Sequence, residues 1–327
     1  MEGHWNINKM DLWDCEYEKK GTLVYSLTTR GLFSELSNLV MAFYYANQKG
    51  LNFIINSRYW NGKIKKGWED YFNNNIETTN SVFSAQTKVY SKEKPWVGNI
   101  YYNPKVFFNY YFQLLMNGLY CLFHIKCMLA KDAFEQMNSS DFRDSLPEDW
   151  VSSYASLYKQ VVSYNDKTKS ILAQYKEQLK LPDDYIGVHI RRGDKITTQE
   201  MDNISLDKYI SEIIDHKDVS QNVFIATDDI SILDSLRPKL AERGMKLYYN
   251  TFCSSSGFEE SAFNDMDERR RYDNIMLTLL DMDILIHSCF FIGTYTSNLS
   301  RIVPLFLSFS RCKSLDIDWD FFYCPNY

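Results

Sequence analysis

Apolar residues follow two rhythms in the first third of the chain. TLVYSLT at 22–28 and LNFIINS at 51–57 are short apolar runs, and between them Leu36, Leu39, Val40 and Phe43 recur at helical spacing. The runs predict buried strands and the spacing predicts an amphipathic helix, so the chain from Gly21 onward predicts a βαβ unit. Segments 104–131 and 148–180 are rich in Tyr and Leu and predict two helices, the second stopping where Pro182 interrupts LKLPDD. Beyond Pro182 strands and helices alternate: YIGVHI, SLDKYISEIID, NVFIATD, SILDSLRPKLAERG, KLYYN, a long helix from about 268 to 287, FFIGT, and a helix from about Ser297. Regular alternation of this kind predicts a parallel, doubly wound sheet. The polar stretch TFCSSSGFEESAFNDMDE at 251–268 predicts a loop.

At 327 residues and 45% hydrophobic the chain is long for a single core. Two lobes are expected, 1–180 and 181–327, with a cleft between them. The charge balance, 36 basic against 42 acidic residues for a net charge of -6, argues against a nucleic-acid or anionic-membrane partner. The seven cysteines are scattered without a Cys-x-x-Cys pair, which fits reduced core thiols better than a zinc site. The N-terminus has no apolar signal core, and the longest apolar stretch, near 284–295, is broken by His287 and too short to span a bilayer. A soluble, cytoplasmic protein is expected; the oligomeric state is not legible.

Three strand ends of the second lobe carry polar groups: His189 to Lys195, Thr227-Asp228-Asp229, and Thr294 to Asn298. In a parallel sheet the carboxyl ends of all strands lie on one edge, so these residues converge on one crevice. Arg191 and Arg192 offer planar forks suited to phosphate oxygens, and Ser297 and Asn298 at a helix start add N–H donors. The arrangement suits a diphosphate. Other roles stay open: an ion pair of Arg191 or Arg192 with Asp194, a core role for His189, and helix capping by Asp228 and Asp229. Gly31, in the loop after the first strand, either lets a ligand approach the backbone or is a plain turn glycine. Asp-x-Asp pairs of the metal-binding kind occur at Asp265/Asp267, Asp281/Asp283 and Asp316/Asp318. The middle pair lies within a helical run, where residues two apart point to different sides, the other two follow no predicted strand, and no metal site is expected.

HIRRGDK at 189–195, ATDD at 226–229 and FFIGTYTSNLSR at 290–301, in that order, resemble the three motifs of the fucosyltransferase superfamily, most closely its α1,6 group. LLDMD with Asp281, the tail SLDIDWDFF from Ser314 and the segment SRYWNGKIKKGWEDYF at 57–72 are also similar to that group. The resemblance implies an α/β, GT-B-like fold of two Rossmann-like lobes, with GDP-L-fucose bound in the second lobe, a glycan acceptor and no cofactor or metal. It further implies that Arg191 holds the donor diphosphate and that His189 and Asp281 contact the guanine nucleotide. Ser297, Asn298 and the adjacent Thr296 would lie at the phosphates, and Lys195 would assist at the reacting centre.

An acceptor hydroxyl must lose its proton to a carboxylate. The α1,6 group has a Glu four residues after the motif Lys, where this chain has Gln199. Glu200 follows, and the loop before the next helix is one residue longer than in the group, an insertion that would return Glu200 to the base position. Asp194 is the other candidate. The expected activity is inverting transfer of L-fucose to a glycan hydroxyl, with two alternatives: the same fold using another nucleotide sugar, or a nucleotide-sugar binder without catalysis. A sequon at Asn298-Leu299-Ser300, inside the proposed donor loop, speaks against passage through the secretory pathway.

Overall fold

The computed structural model describes residues 21–81, 125–128, 130–193, 203–250, 252 and 260–323, with scattered positions between 104 and 119. Strand β1 (Thr22–Ser26) leads through helix α1 (Leu32–Gln48) to β2 (Asn52–Asn56) and β3 (Glu77–Thr79), which, with β4 (Ile125–Met128), form a parallel sheet of order β3-β2-β1-β4. Helices α2 (Ala130–Met137), α3 (Ser140–Asp144), α4 (Trp150–Val161) and α5 (Asp166–Leu179) follow. The second sheet, of order β7-β6-β5-β8-β9, holds β5 (Ile186–Ile190), β6 (Asn222–Thr227), β7 (Lys246–Tyr249), β8 (Phe290–Gly293) and β9 (Cys312–Ser314), all parallel. Its helices are α6 (Leu206–Asp215), α7 (Leu233–Ala241), α8 (Glu260–Asp265), α9 (Glu268–Leu285) and α10 (Asn298–Ile302).

Three features depart from the sequence reading. Ile125–Met128, expected within a helix, is a strand pairing with β1 in register Thr22 to Ile125, so sheet pairing overrides the helical rhythm around it. The helix expected over 148–180 is two, because Asn165 caps α5 with its side chain accepting from the Thr168 amide at 2.8 Å. The expected loop at 251–268 includes the short helix α8, and a one-turn 3-10 helix, Ile230–Ile232, precedes α7.

β5 is buried along its whole length, as a central parallel strand should be. One apolar core runs from the first sheet through α1, α4, α5 and α9 to the second sheet, while a smaller one fills the other face of the second sheet. The large core joins the lobes. Phe321, at the chain's far end, returns to pack on Tyr154 of α4 with ring centres 4.5 Å apart. Lys176 of α5 pairs with Asp283 of α9. Asn61, after β2, donates to the Asn264 side chain of α8 at 3.0 Å, so the carboxyl edge of the first sheet is tied to the second lobe.

Candidate active site

β5 delivers the central motif. The His189 ring is buried, its Nδ1 lies 2.8 Å from the Ser300 hydroxyl, and burial pushes its pKa down to about 4, with Arg191 adding to the fall and Asp228 opposing it. The imidazole is therefore neutral and fastens β5 to α10. The chain leaving β5 is held by Asp228 at the end of β6, which accepts the Arg192 amide at 2.7 Å and the Gly193 amide at 2.9 Å and pairs with the Arg191 guanidinium at 3.1 Å. Asp228 fixes the loop and the head of Arg191 together. The Arg192 guanidinium turns instead to the Asn203 side chain and to the Ile204 carbonyl, 2.7 Å away. Neighbouring residues leaving a strand point to opposite sides, and here the two arginines do so. Asp229 caps the turn at Ile230–Ile232, accepting from the Ser231 amide at 3.0 Å and hydroxyl at 2.7 Å.

The end of β8 is organised by Asp316. Its carboxylate accepts the Tyr295 amide at 2.7 Å, the Thr296 amide at 3.1 Å, the Thr296 hydroxyl at 2.5 Å and the Ser314 hydroxyl at 2.6 Å. Burial alone would raise its pKa, but these hydrogen bonds outweigh burial and hold the carboxyl below the usual range. The Ser297 amide donates to the Thr294 carbonyl at 3.0 Å, and Asn298 accepts from Arg301 at 2.5 Å. Arg301 is buried and also donates to the Tyr323 carbonyl at 2.6 Å. Asp281, on α9, accepts a 3.3 Å hydrogen bond from Asn250 at the end of β7, and burial pushes it up to about 7 against that bond.

The first sheet contributes the opposite edge. Gly31 precedes α1 with φ -58° and ψ 140°, and a Cβ there would meet no atom within 4 Å, so neither backbone nor packing requires glycine. Behind it Glu35 is fully buried; it accepts from Tyr25 at 3.4 Å and from the Thr28 hydroxyl, and burial raises its pKa. After β2, Gly67 has φ 82° and its missing Cβ would lie 2.2 Å from the Ser57 Cβ, while Asp70 accepts the amides of Ile64, Lys65, Lys66 and Gly67. The GWED turn is thus a scaffold for the 57–66 loop.

Arg191 and Asp228 stand in contact, His189 precedes them on β5 against Ser300, and Thr296, Ser297 and Asn298 follow the neighbouring strand; Asp281 lies on α9. Asp194, Lys195 and Glu200 lie outside the described residues. Asp316, Ser300, Arg301, Asn250 and Glu35 hold these groups in place, a task the sequence pattern does not assign to them. Asp316 lies within SLDIDWDFF and Arg301 ends FFIGTYTSNLSR, which is the signal the sequence offers for those two. Among the Asp-x-Asp pairs, Asp267 caps α9, Asp283 pairs with Lys176, and Asp316 holds the β8 loop.

Two parallel sheets, each flanked by helices and with polar strand ends gathered on the carboxyl edge of the second, make up an α/β fold of the GT-B kind. Residues 144–305, about half of the chain, match the family of α-(1,6)-fucosyltransferase N- and catalytic domains. Among solved structures, the NodZ α-1,6-fucosyltransferase soaked with GDP-fucose is 14% identical, with TM-score 0.51 over 88% of this chain and 93% of that one. NodZ from Bradyrhizobium is 13% identical with TM-score 0.50, covering 87% of this chain and 93% of its own. A mutant of Arabidopsis thaliana FUT1 in complex with GDP is 10% identical with TM-score 0.51, covering 88% and 68% respectively. At these identities the likeness is one of fold. No curated protein matches the chain. Among the described residues no helix is long and apolar enough to cross a membrane.

Proposed function

We propose that this glycosyltransferase is an inverting fucosyltransferase that moves L-fucose from GDP-L-fucose to a glycan hydroxyl without a metal. The observation that carries the reading is the fixed Arg191. Its guanidinium is oriented by Asp228 at the carboxyl edge of the second sheet, beside the loop that Asp316 holds after β8. A cation anchored there, with donor groups on the next strand, suits a diphosphate leaving group whose charge grows in the transition state.

In the proposed reaction the acceptor hydroxyl attacks the anomeric carbon from the face opposite GDP. A carbon–oxygen bond forms there, the bond to the β-phosphate oxygen breaks, and its electron pair leaves with GDP. The hydroxyl proton passes to a carboxylate, for which Glu200 is the first candidate and Asp194 the second. Lys195 would join Arg191 in holding the leaving group. Asp281 and the neutral His189 would serve the guanosine, and Thr296, Ser297 and Asn298 the phosphates. Asp229 and the Arg192 head group, each engaged in a local structural contact, would support the nucleotide pocket from behind.

A cytoplasmic site of action is part of the proposal. Asn298 bonds Arg301 and Ser300 is fully buried against His189, so a glycan on this sequon would disrupt the donor loop.

Calorimetry with GDP, UDP and dTDP, each with and without EDTA, combined with release of fucose from GDP-L-fucose, tests the reading. GDP should bind most tightly and be unaffected by EDTA. Preference for another nucleotide would transfer the protein to a different donor; binding without hydrolysis or transfer would make it a binder; a large loss on chelation would end the metal-free mechanism.

A further inference from the structure

The carboxyl edge of the first sheet carries two cations, Arg58 and Lys63, that form no ion pair among the described residues. Arg58 is exposed directly after β2, and Lys63 is half-buried five residues on, its ammonium held by the Asn80 side chain at 2.7 Å. Among the described residues neither has an acid within ion-pairing distance. The two nearby carboxylates are committed elsewhere: Asp70 to four backbone amides, and Glu69 to Thr78 at 2.8 Å and to Lys66 at 4.0 Å. Burial lowers the Lys63 pKa, Arg58 lowers it further, and only Asp70 opposes them. The two cations are thus near enough to repel each other, on a protein whose net charge is -6.

The loop that carries them is not a free surface loop. Asn61 donates to the Thr29 carbonyl at 3.0 Å and to Asn264 of α8 at 3.0 Å, and a Cβ on Gly62 would lie 2.8 Å from Ile275 of α9. The backbone between the two cations is therefore held where the carboxyl edge of the first sheet meets the second lobe. Beside it Tyr59 is 38% exposed, a flat face of the kind sugars stack on.

We propose that this edge binds an acceptor carrying an acidic group, a carboxylate, sulfate or phosphate monoester, which Arg58 and Lys63 pair with. Two cations on one short loop at the carboxyl edge of a parallel sheet suit an anion, and the donor diphosphate has its own cation, Arg191, on the other sheet. The inference rests on reading the chain as a transferase whose acceptor lies on the first lobe.

The test is binding to the full chain saturated with GDP, so that the diphosphate site is occupied. The probes are oligosaccharides bearing uronate, sulfate or phosphate monoester, each beside a neutral partner: hyaluronan tetrasaccharide and its methyl ester, sulfated and unsulfated N-acetyllactosamine, and mannose 6-phosphate and mannose. At least one acidic member should bind about tenfold or more tightly than its partner, with affinity falling as salt is added. In the R58Q/K63Q double variant that preference should vanish while GDP affinity and release of fucose from GDP-L-fucose stay at parental values. No preference for any acidic member, or a preference that survives in the variant, overturns the inference. A tenfold or greater loss of GDP affinity in the variant also overturns it, by assigning the pair to the donor. Absence of fucose release from the parent protein would count against the transferase reading instead, so the two failures are distinguishable.

Discussion

The carboxyl edges of the two sheets treat charge differently. On the second, acids are placed to hold cations and amides: Asp228 gathers Arg191 and the backbone of Arg192 and Gly193, and Asp316 gathers Tyr295 and Thr296. On the first, Glu35 faces the core and Asp70 its own turn, while Arg58 is exposed and the Lys63 ammonium is held by the neutral Asn80. A prebuilt network suits a ligand whose geometry is fixed, since orientation is set before binding. An edge with uncompensated charge derives its order from what binds.

Breaking the network at its centre should have the largest effect. Arg191→Ala is expected to lower turnover by roughly a hundredfold or more, from loss of a charged contact to the leaving group. Arg192→Ala should be milder in rate, because that guanidinium is spent on Asn203 and Ile204. Steady-state kinetics on both variants would reverse the assignment if Arg192→Ala proved the more damaging.

Next in size is the base. A neutral amide such as Gln199 accepts no proton at neutral pH, so Glu200→Gln should fold and bind GDP while kcat falls roughly a hundredfold. Gln199→Ala should be mild. A kcat near the parent value in Glu200→Gln would move the role to Asp194.

Asp316→Asn sharpens the contrast in stability. It removes the charge and places an NH2 where Thr296 now donates, which should cost about 2–4 kcal/mol in urea unfolding and weaken GDP binding. A comparable loss of stability is not expected from the R58Q/K63Q change on the first edge, where neither residue forms an ion pair among the described residues.

How much of this was visible in the sequence follows from the same physics. The central strands of the second sheet are buried on both faces and read as unbroken apolar runs, and parallel topology then brings their ends together. That made His189, Arg191, Asp228 and Thr296 legible as a group. β9 is three residues long and contains Lys313, and β4 contains Lys126; both are strands only because β8 and β1 pair with them. Without β9, nothing in the sequence places Asp316 under Tyr295, twenty-one residues away. The charge imbalance at Arg58 and Lys63 was equally hidden, since it depends on where Asp70 and Glu69 turn.

Two groups of the second lobe respond to pH in opposite senses. Asp281 has a folded-state pKa raised to about 7, so it favours the fold below its unfolded value, and that contribution is lost as pH rises through about 7. His189 runs the other way: with its pKa lowered to about 4, its contribution is present above the unfolded value and lost as pH falls. Asp281→Asn removes the first titration, so its Tm relative to the parent should climb between about pH 5 and pH 8. A constant difference across that range would mean Asp281 does not titrate there.

The smallest expected change in stability is at Gly31, and it addresses whether a ligand reaches the first edge at all. The residue already has backbone angles that alanine adopts, and an added Cβ would enter open space. Replacing glycine by alanine restricts the unfolded chain, worth about 0.4–1 kcal/mol, but alanine is a poorer helix N-cap by a similar amount. The two effects nearly cancel, so Gly31→Ala should leave Tm almost unchanged. If substrate approaches the backbone of this loop, the methyl group stands in its path, and KM should rise several-fold at constant kcat, because the methyl obstructs ground and transition states alike. Unchanged KM with unchanged Tm would make Gly31 a plain turn glycine and leave the first edge to Arg58 and Lys63 alone.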